Sequence, residues 1–95
     1  MTEEAFNITD IQILPVKPKN GLVGFTSFVF NGLLYIGNVA IYTRPINYSI
    51  RLVYPQKTLP NGKVVSCVHP LTKEIGELIE QAVLEKYQQL VPSEL

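Results

Sequence analysis

Apolar and polar positions alternate in short runs up to about residue 68, and beyond that the period lengthens. Residues 8–17 read as a first strand, closed by Pro15 and Pro18. Lys19-Asn20-Gly21 is a turn, with glycine where a positive φ is needed. Residues 22–30 predict a second strand, Asn31-Gly32 a tight hairpin, and residues 33–43 a third strand. Residues 44–47 read as a loop, 48–54 as a fourth strand and 63–68 as a fifth. Then Ile75, Leu78, Ile79, Ala82, Val83, Tyr87 and Leu90 recur three and four apart, which is one apolar stripe of a helix. Thr72 suits the N-cap, Glu74 the first turn, and Pro92 the stop. Leu84 falls outside the stripe and is expected to touch a partner. The fold class is therefore α+β: a mostly antiparallel sheet of about five strands followed by one C-terminal helix.

Strands two and three are apolar on both sides. Val23, Phe25 and Val29 alternate with Leu22, Phe28 and Phe30, while Leu33, Tyr35, Val39 and Ile41 alternate with Leu34, Ile36 and Tyr42. One face can pack on the helix. The other needs a second cover, and a second subunit is the simplest supplier, so a homodimer is expected. Gly24 and Gly37, inside strands, mark bulges or close packing. The 95 residues suit one modest core. No apolar run reaches the roughly 18 residues of a membrane span. The start is acidic rather than basic, unlike a signal peptide. A cytoplasmic protein is expected, with no membrane partner.

Net charge is zero, but its distribution is uneven. No acidic residue occurs from Ile11 to Lys73, a stretch holding Lys17, Lys19, Arg44, Arg51, Lys57, Lys63 and Lys73. The acids lie at the N-terminal end and from Glu74 onward. A positive sheet and a negative helix give a local field that steers anions whatever the net charge. The same cations also serve as protectors of exposed strand edges, and both readings stand.

Catalysis is not expected. The one cysteine, Cys67, excludes an internal disulfide and sits two residues from the one histidine, His69. On a strand the two share a face and would pair a thiol with an imidazole. The plainer reading is a buried cysteine acting as a small hydrophobe and a histidine capping the turn before Pro70. A metal needs more ligands than these two, and the glycine spacings fit no phosphate cradle, so no cofactor is expected. Glu74, Glu77 and Glu80 read as a solvated helix face.

Nucleic acid remains. Pro60-Asn61-Gly62 forces a tight reversal between Tyr54 and Lys63, which projects Lys57 and Lys63 from a rigid base. Arg51 comes from the adjoining strand, and Tyr48 or Tyr54 offers a stacking face. No basic helix is present to enter a major groove.

Ile8-Thr9-Asp10-Ile11, the run from Tyr54 to Lys63 (YPQKTLPNGK), His69-Pro70-Leu71 and Ala82-Val83-Leu84-Glu85-Lys86-Tyr87 together resemble the SpoVG family, in order and spacing, over roughly residues 8 to 90. The resemblance implies a single SpoVG-like domain over residues 1–95, with 1–7 and 91–95 as flexible ends. It also implies a small cytoplasmic dimer that binds DNA, and in some members RNA, and regulates gene expression, septation and sporulation. Pro55, Lys57, Pro60 and Gly62 match the family's loop, and Asn61 replaces an aspartate. Thr58 and Leu59 depart from it, and Val65, Gly76, Leu78 and Ala40 stand where family members carry basic residues. Lys57 and Lys63 are the expected phosphate contacts, with Arg51 and Arg44 substituting for the lost cations. Because phosphate neutralisation is the main source of affinity, binding is expected to be weak and salt-sensitive. The competing reading is a protein-interaction module that kept the fold and lost the nucleic-acid surface.

Overall fold

The computed structural model describes residues 6–44 and 49–90. Strands β1 (Ile8–Lys19), β2 (Leu22–Phe30), β3 (Leu34–Arg44) and β4 (Ser49–Val53) form one antiparallel sheet in that spatial order. The short strands β5 (Gln56–Thr58) and β6 (Val64–Ser66) pair with each other, and helix α1 (Lys73–Leu90) follows. The α+β class and antiparallel order match the sequence pattern. The last strand, however, stays out of the main sheet and folds back on β5. Pro55, two residues past the end of β4, has no amide hydrogen to continue a ladder, and its carbonyl instead accepts from the Cys67 amide at 3.1 Å, closing the base of the new hairpin.

β1 runs through Pro15 and Pro18 rather than ending there. It is an edge strand, where a missing N–H can face outward, and its ladder is irregular between Pro15 and Lys19. Asn20 and Gly21, both at positive φ, make the two-residue turn into β2. Asn31 and Gly32 are left-handed as well, but their loop takes in Leu33, so β3 begins at Leu34. Asn7 fastens this turn from outside. The Asn31 amide donates to its carbonyl at 2.7 Å, and its own amide donates to Asn31 Oδ1 at 2.8 Å.

Two bulges decide which side chains enter the core. β3 spends one residue more than β2 between the pairs Phe28↔Ile36 and Thr26↔Val39, and Asn38 within that step has φ of 59°. β1 likewise spends an extra residue between Thr9 and Gln12, with Asp10 at φ of 53°. Each extra residue shifts the two-residue alternation to the opposite face. Val39 and Ile41 therefore join Ile36 on the helix side, whereas plain alternation separates them. Ile8, Ile11 and Ile13 all pack against the core for the same reason. Val23 also packs there, beside a further shift between Leu22 and Gly24, and not with Phe25 and Val29.

The buried core is Phe28, Val39, Ile41, Ile50 and Leu52 from the sheet with Ile79 and Val83 from α1. Thr26 is the buried polar side chain of this layer, and its hydroxyl donates to the Gln12 carbonyl at 2.9 Å, next to the β1 bulge. Gly24 marks close packing: a Cβ there would come within 2.8 Å of the Leu14 carbonyl oxygen. The helix starts as its sequence predicts, with the Ile75 amide donating to Thr72 Oγ1 at 3.2 Å. Its buried stripe is narrower than the apolar spacing suggests. Leu78 and Leu90 are exposed, while Leu84, expected at a partner surface, packs against the core. The helix stop at Pro92, the loop at Pro45-Ile46-Asn47, Tyr48 and the chain ends fall outside the described residues.

Candidate nucleic-acid interface

The β5–β6 hairpin is built as a projecting arm. Its register is Gln56↔Ser66, Lys57↔Val65 and Thr58↔Val64. Beyond it the Leu59 amide donates to the Lys63 carbonyl and the Gly62 amide to the Leu59 carbonyl, both at 2.8 Å. Asn61 Oδ1 accepts from the Lys63 amide at 2.9 Å, an Asx-type turn, and Gly62 takes φ of 88°. The tip is thus held by three hydrogen bonds and one left-handed glycine. By strand alternation Lys57 and Lys63 fall on the same face of this hairpin, in diagonal positions. Both are exposed, and neither takes part in an ion pair among the described residues.

The two arginines lie elsewhere. Arg51 stands on β4 opposite Tyr42, its guanidinium carbon 5.0 Å from the ring centroid, a cation–π contact. Arg44, at the end of β3, reaches α1, with Nη2 at 3.9 Å from Glu80 Oε2. Lys57 and Lys63 therefore belong to one hairpin, and Arg51 and Arg44 to the main sheet. The expected solvated acid face of the helix is partly engaged: Glu80 meets Arg44, and Glu77 lies 3.9 Å from Lys73.

Tyr54, one of the two expected stacking residues, points inward. Its hydroxyl is buried without a hydrogen-bond partner, and burial, assisted by the Glu80 charge, pushes its pKa up to about 12. The aromatic rings that do face outward from the sheet are ones the sequence pattern did not single out. Tyr35 is 73% exposed, and Tyr42 and Phe25 are half-buried on the face away from the helix. Reading Asn38 as a bulge would have found Tyr35 and Tyr42 on one side of β3.

Cys67 is exposed rather than buried, because β6 ends at Ser66 and the chain bends away from any core. The Ser66 hydroxyl and His69 Nδ1 are 2.9 Å apart, so the imidazole is tied back to the strand it follows. Among the described residues no three His, Cys, Asp or Glu side chains converge as a metal site, and no helix is long and apolar enough to cross a membrane.

A second feature adjoins the hairpin. Between the β2–β3 turn and the start of α1 lies an apolar groove of about 420 Å³, lined among others by Phe6, Phe30, Leu34, Pro70, Leu71 and Ile75. Phe6 and Phe30 stack at its wall, with ring centroids 5.9 Å apart. Leu33 and Leu71, more than four-fifths exposed, stand near it and on its rim respectively.

Comparison with known proteins agrees with the pattern of these elements. A protein of Treponema denticola named "Putative septation protein SpoVG" is 30% identical over 81 residues, 85% of each chain. Proteins of the same name from Clostridium beijerinckii and Borrelia hermsii are 25% and 26% identical, over 93% and 94% of this chain and 94% of each relative. The SpoVG family matches residues 6–89, from the groove wall at Phe6 to the last turn of α1, and this chain belongs to that family.

Proposed function

We propose that this protein is a dimeric, cytoplasmic nucleic-acid-binding regulator of the SpoVG type, acting in septation and associated gene expression, with sporulation as the family's further association. The observation that carries the reading is the pair of unengaged lysines, Lys57 and Lys63, on one face of a hairpin whose tip is fixed by its own hydrogen bonds. A rigid arm presents both charges to a phosphate backbone without an ordering penalty on the loop. Arg51 and Arg44 extend the positive field over the sheet, although Glu80 offsets Arg44 in the free protein. Two lysines per subunit make a small footprint, and a two-fold dimer doubles it.

The test is fluorescence anisotropy with labelled DNA and RNA at low and moderate salt. Binding should be strongest at low salt, and the double variant Lys57→Ala/Lys63→Ala should weaken it for all sequences and lower the salt slope by roughly 1 per lysine. No binding at low salt, or full binding by the double variant, would sink the proposal.

A second reading is favoured by the apolar groove: a protein-interaction module whose working surface is the groove and its exposed leucines. A pull-down that recovers protein partners lost on Leu71→Ser, together with no nucleic-acid affinity, would establish it over the first.

A further inference from the structure

The open face of the four-stranded sheet is a surface that neither the hairpin nor the groove accounts for. Its most exposed ring is Tyr35. The outer end of that ring reaches Gly37, two residues on: a Cβ at Gly37 would stand 3.0 Å from Tyr35 Cε2 and Oη. A residue of any other type at position 37 would push the ring aside, and most of the ring is open to solvent.

Two further groups continue the surface. Phe25 stands half-buried between Leu14 of β1 and Ala40 of β3, whose small side chain leaves part of the phenyl ring open. Tyr42, diagonal to Phe25 across the same strand pair, carries the Arg51 guanidinium at 5.0 Å. Strands β2, β3 and β4 contain no acidic residue. Over β2, β3 and β4 the face therefore combines aromatic groups with the Arg51 cation and no carboxylate; the acid of this sheet, Asp10, sits at the β1 bulge.

We propose that this face is a base-stacking platform for single-stranded nucleic acid, with Tyr35, Phe25 and the Tyr42–Arg51 pair as its stacking positions. Unpaired bases present π-faces that such rings accept, while bases in a duplex are already stacked and withdrawn. Arginine adds a planar cation that stacks and meets phosphate. The alternative occupant, a second copy face to face, fits less well. A two-fold contact would draw Arg51 and its symmetry mate into one interface with no carboxylate on β2, β3 or β4 to compensate. The proposal rests on the nucleic-acid reading above and adds the strandedness of the ligand and a second contact surface.

Anisotropy titrations with 12-nucleotide single strands and the matching duplex at low salt test it, on the full chain and on Tyr35→Ala, Tyr42→Ala, Tyr35→Phe and Lys57→Ala/Lys63→Ala. Circular dichroism melts confirm that each variant is folded. Single strands should bind more tightly than duplex. Tyr35→Ala and Tyr42→Ala should each weaken single-strand binding by roughly 5- to 100-fold, the range for losing one base stack, and leave duplex binding and the salt slope in place. Tyr35→Phe should retain affinity, because the ring and not the hydroxyl does the stacking. Equal binding of single strands and duplex, or single-strand binding indifferent to both alanine changes while the lysine variant weakens it, would overturn the platform and leave the hairpin reading intact. Absence of binding to every oligonucleotide would overturn both. If sedimentation shows a dimer that Tyr35→Ala dissociates, the face belongs to a second copy and the platform is wrong.

Discussion

Phe28 and Phe25 stand three residues apart on β2, and the molecule treats them differently. Phe28 is fully buried in the core that Val39, Ile41 and the α1 residue Val83 share, while Phe25 is half-buried on the open face, paired with Leu14 and Ala40. Both faces of the sheet are apolar, yet one is a core and the other a surface. What separates them is less hydrophobicity than cover and register. One helix can shield one face, and the bulges at Asp10 and Asn38 deliver the branched aliphatic side chains to that face and the tyrosines of β3 to the other.

The comparison breaks most completely if β3 gains a further residue at its bulge. With the bulge in place, a glycine inserted after Asn38 would turn Val39 and Ile41 away from the helix while Ile36 stays, removing two of the seven core side chains at once. That loss approaches the whole stability of a small domain, about 5–15 kcal/mol, so no cooperative melt should be seen by circular dichroism. Asn38→Gly keeps both the bulge and the positive φ and should melt within about 1 kcal/mol of the parent.

The same truncation on the two faces measures their difference directly. Phe28→Ala should destabilise by about 3–5 kcal/mol in urea unfolding, the range for a buried aromatic. Phe25→Ala should lose about 1 kcal/mol, since only part of its ring leaves water on folding. Similar losses would mean that the open face is covered in solution.

Glycine-to-alanine changes give a smaller version of that contrast. At Gly24 the new methyl meets the Leu14 carbonyl and Pro15 Cα, both backbone, so β1 must shift, at about 1–3 kcal/mol. At Gly37 it meets the Tyr35 ring, which is free to swing into solvent, and stability should change by about 0.5 kcal/mol or less. The Gly37 variant should instead show its effect in single-strand binding.

The smallest expected effect is a pH signature beneath the covered face. Tyr54 has its folded pKa raised from 10.0 to about 12. A raised value means that the unfolded chain releases this proton first. The contribution of Tyr54 is therefore intact below pH 10 and lost as pH rises toward 12. Melts across pH 9–12 should show a steeper decline for the parent than for Tyr54→Phe. At neutral pH that variant should be as stable or slightly more so, because it removes a buried hydroxyl that has no partner.

Much of the fold is legible in the sequence because its signals are local. Asn20-Gly21 and Asn31-Gly32 announce their turns, Thr72 caps α1, and the four-residue spacing of Ile75, Ile79 and Val83 marks the buried helix stripe. Lys57 and Lys63 are legible as a pair because Asn61-Gly62 folds the chain between them. Other positions are not legible. Cys67 looks buried in a run of valines but is exposed, since β6 pairs with β5 alone and stays out of the main sheet. Leu84 looks peripheral on the helix wheel, but α1 lies across β4 and brings it to the core. The pattern also groups Arg51 and Arg44 with the lysines, whereas Tyr42 and Glu80 hold them on the main sheet.

By itself, then, the sequence determined the element types, the turns, the helix start and the membership in a family, because each depends on neighbours a few residues apart or on a spacing that survives in linear order. Only the tertiary structure decided which face each apolar residue serves. That choice hangs on one extra residue at Asp10 and one at Asn38, and alternation cannot register an insertion until the partner strand fixes the pairing. It also decided that the outer end of the Tyr35 ring reaches Gly37, a contact that exists only once the strand is extended and its neighbours have taken their places.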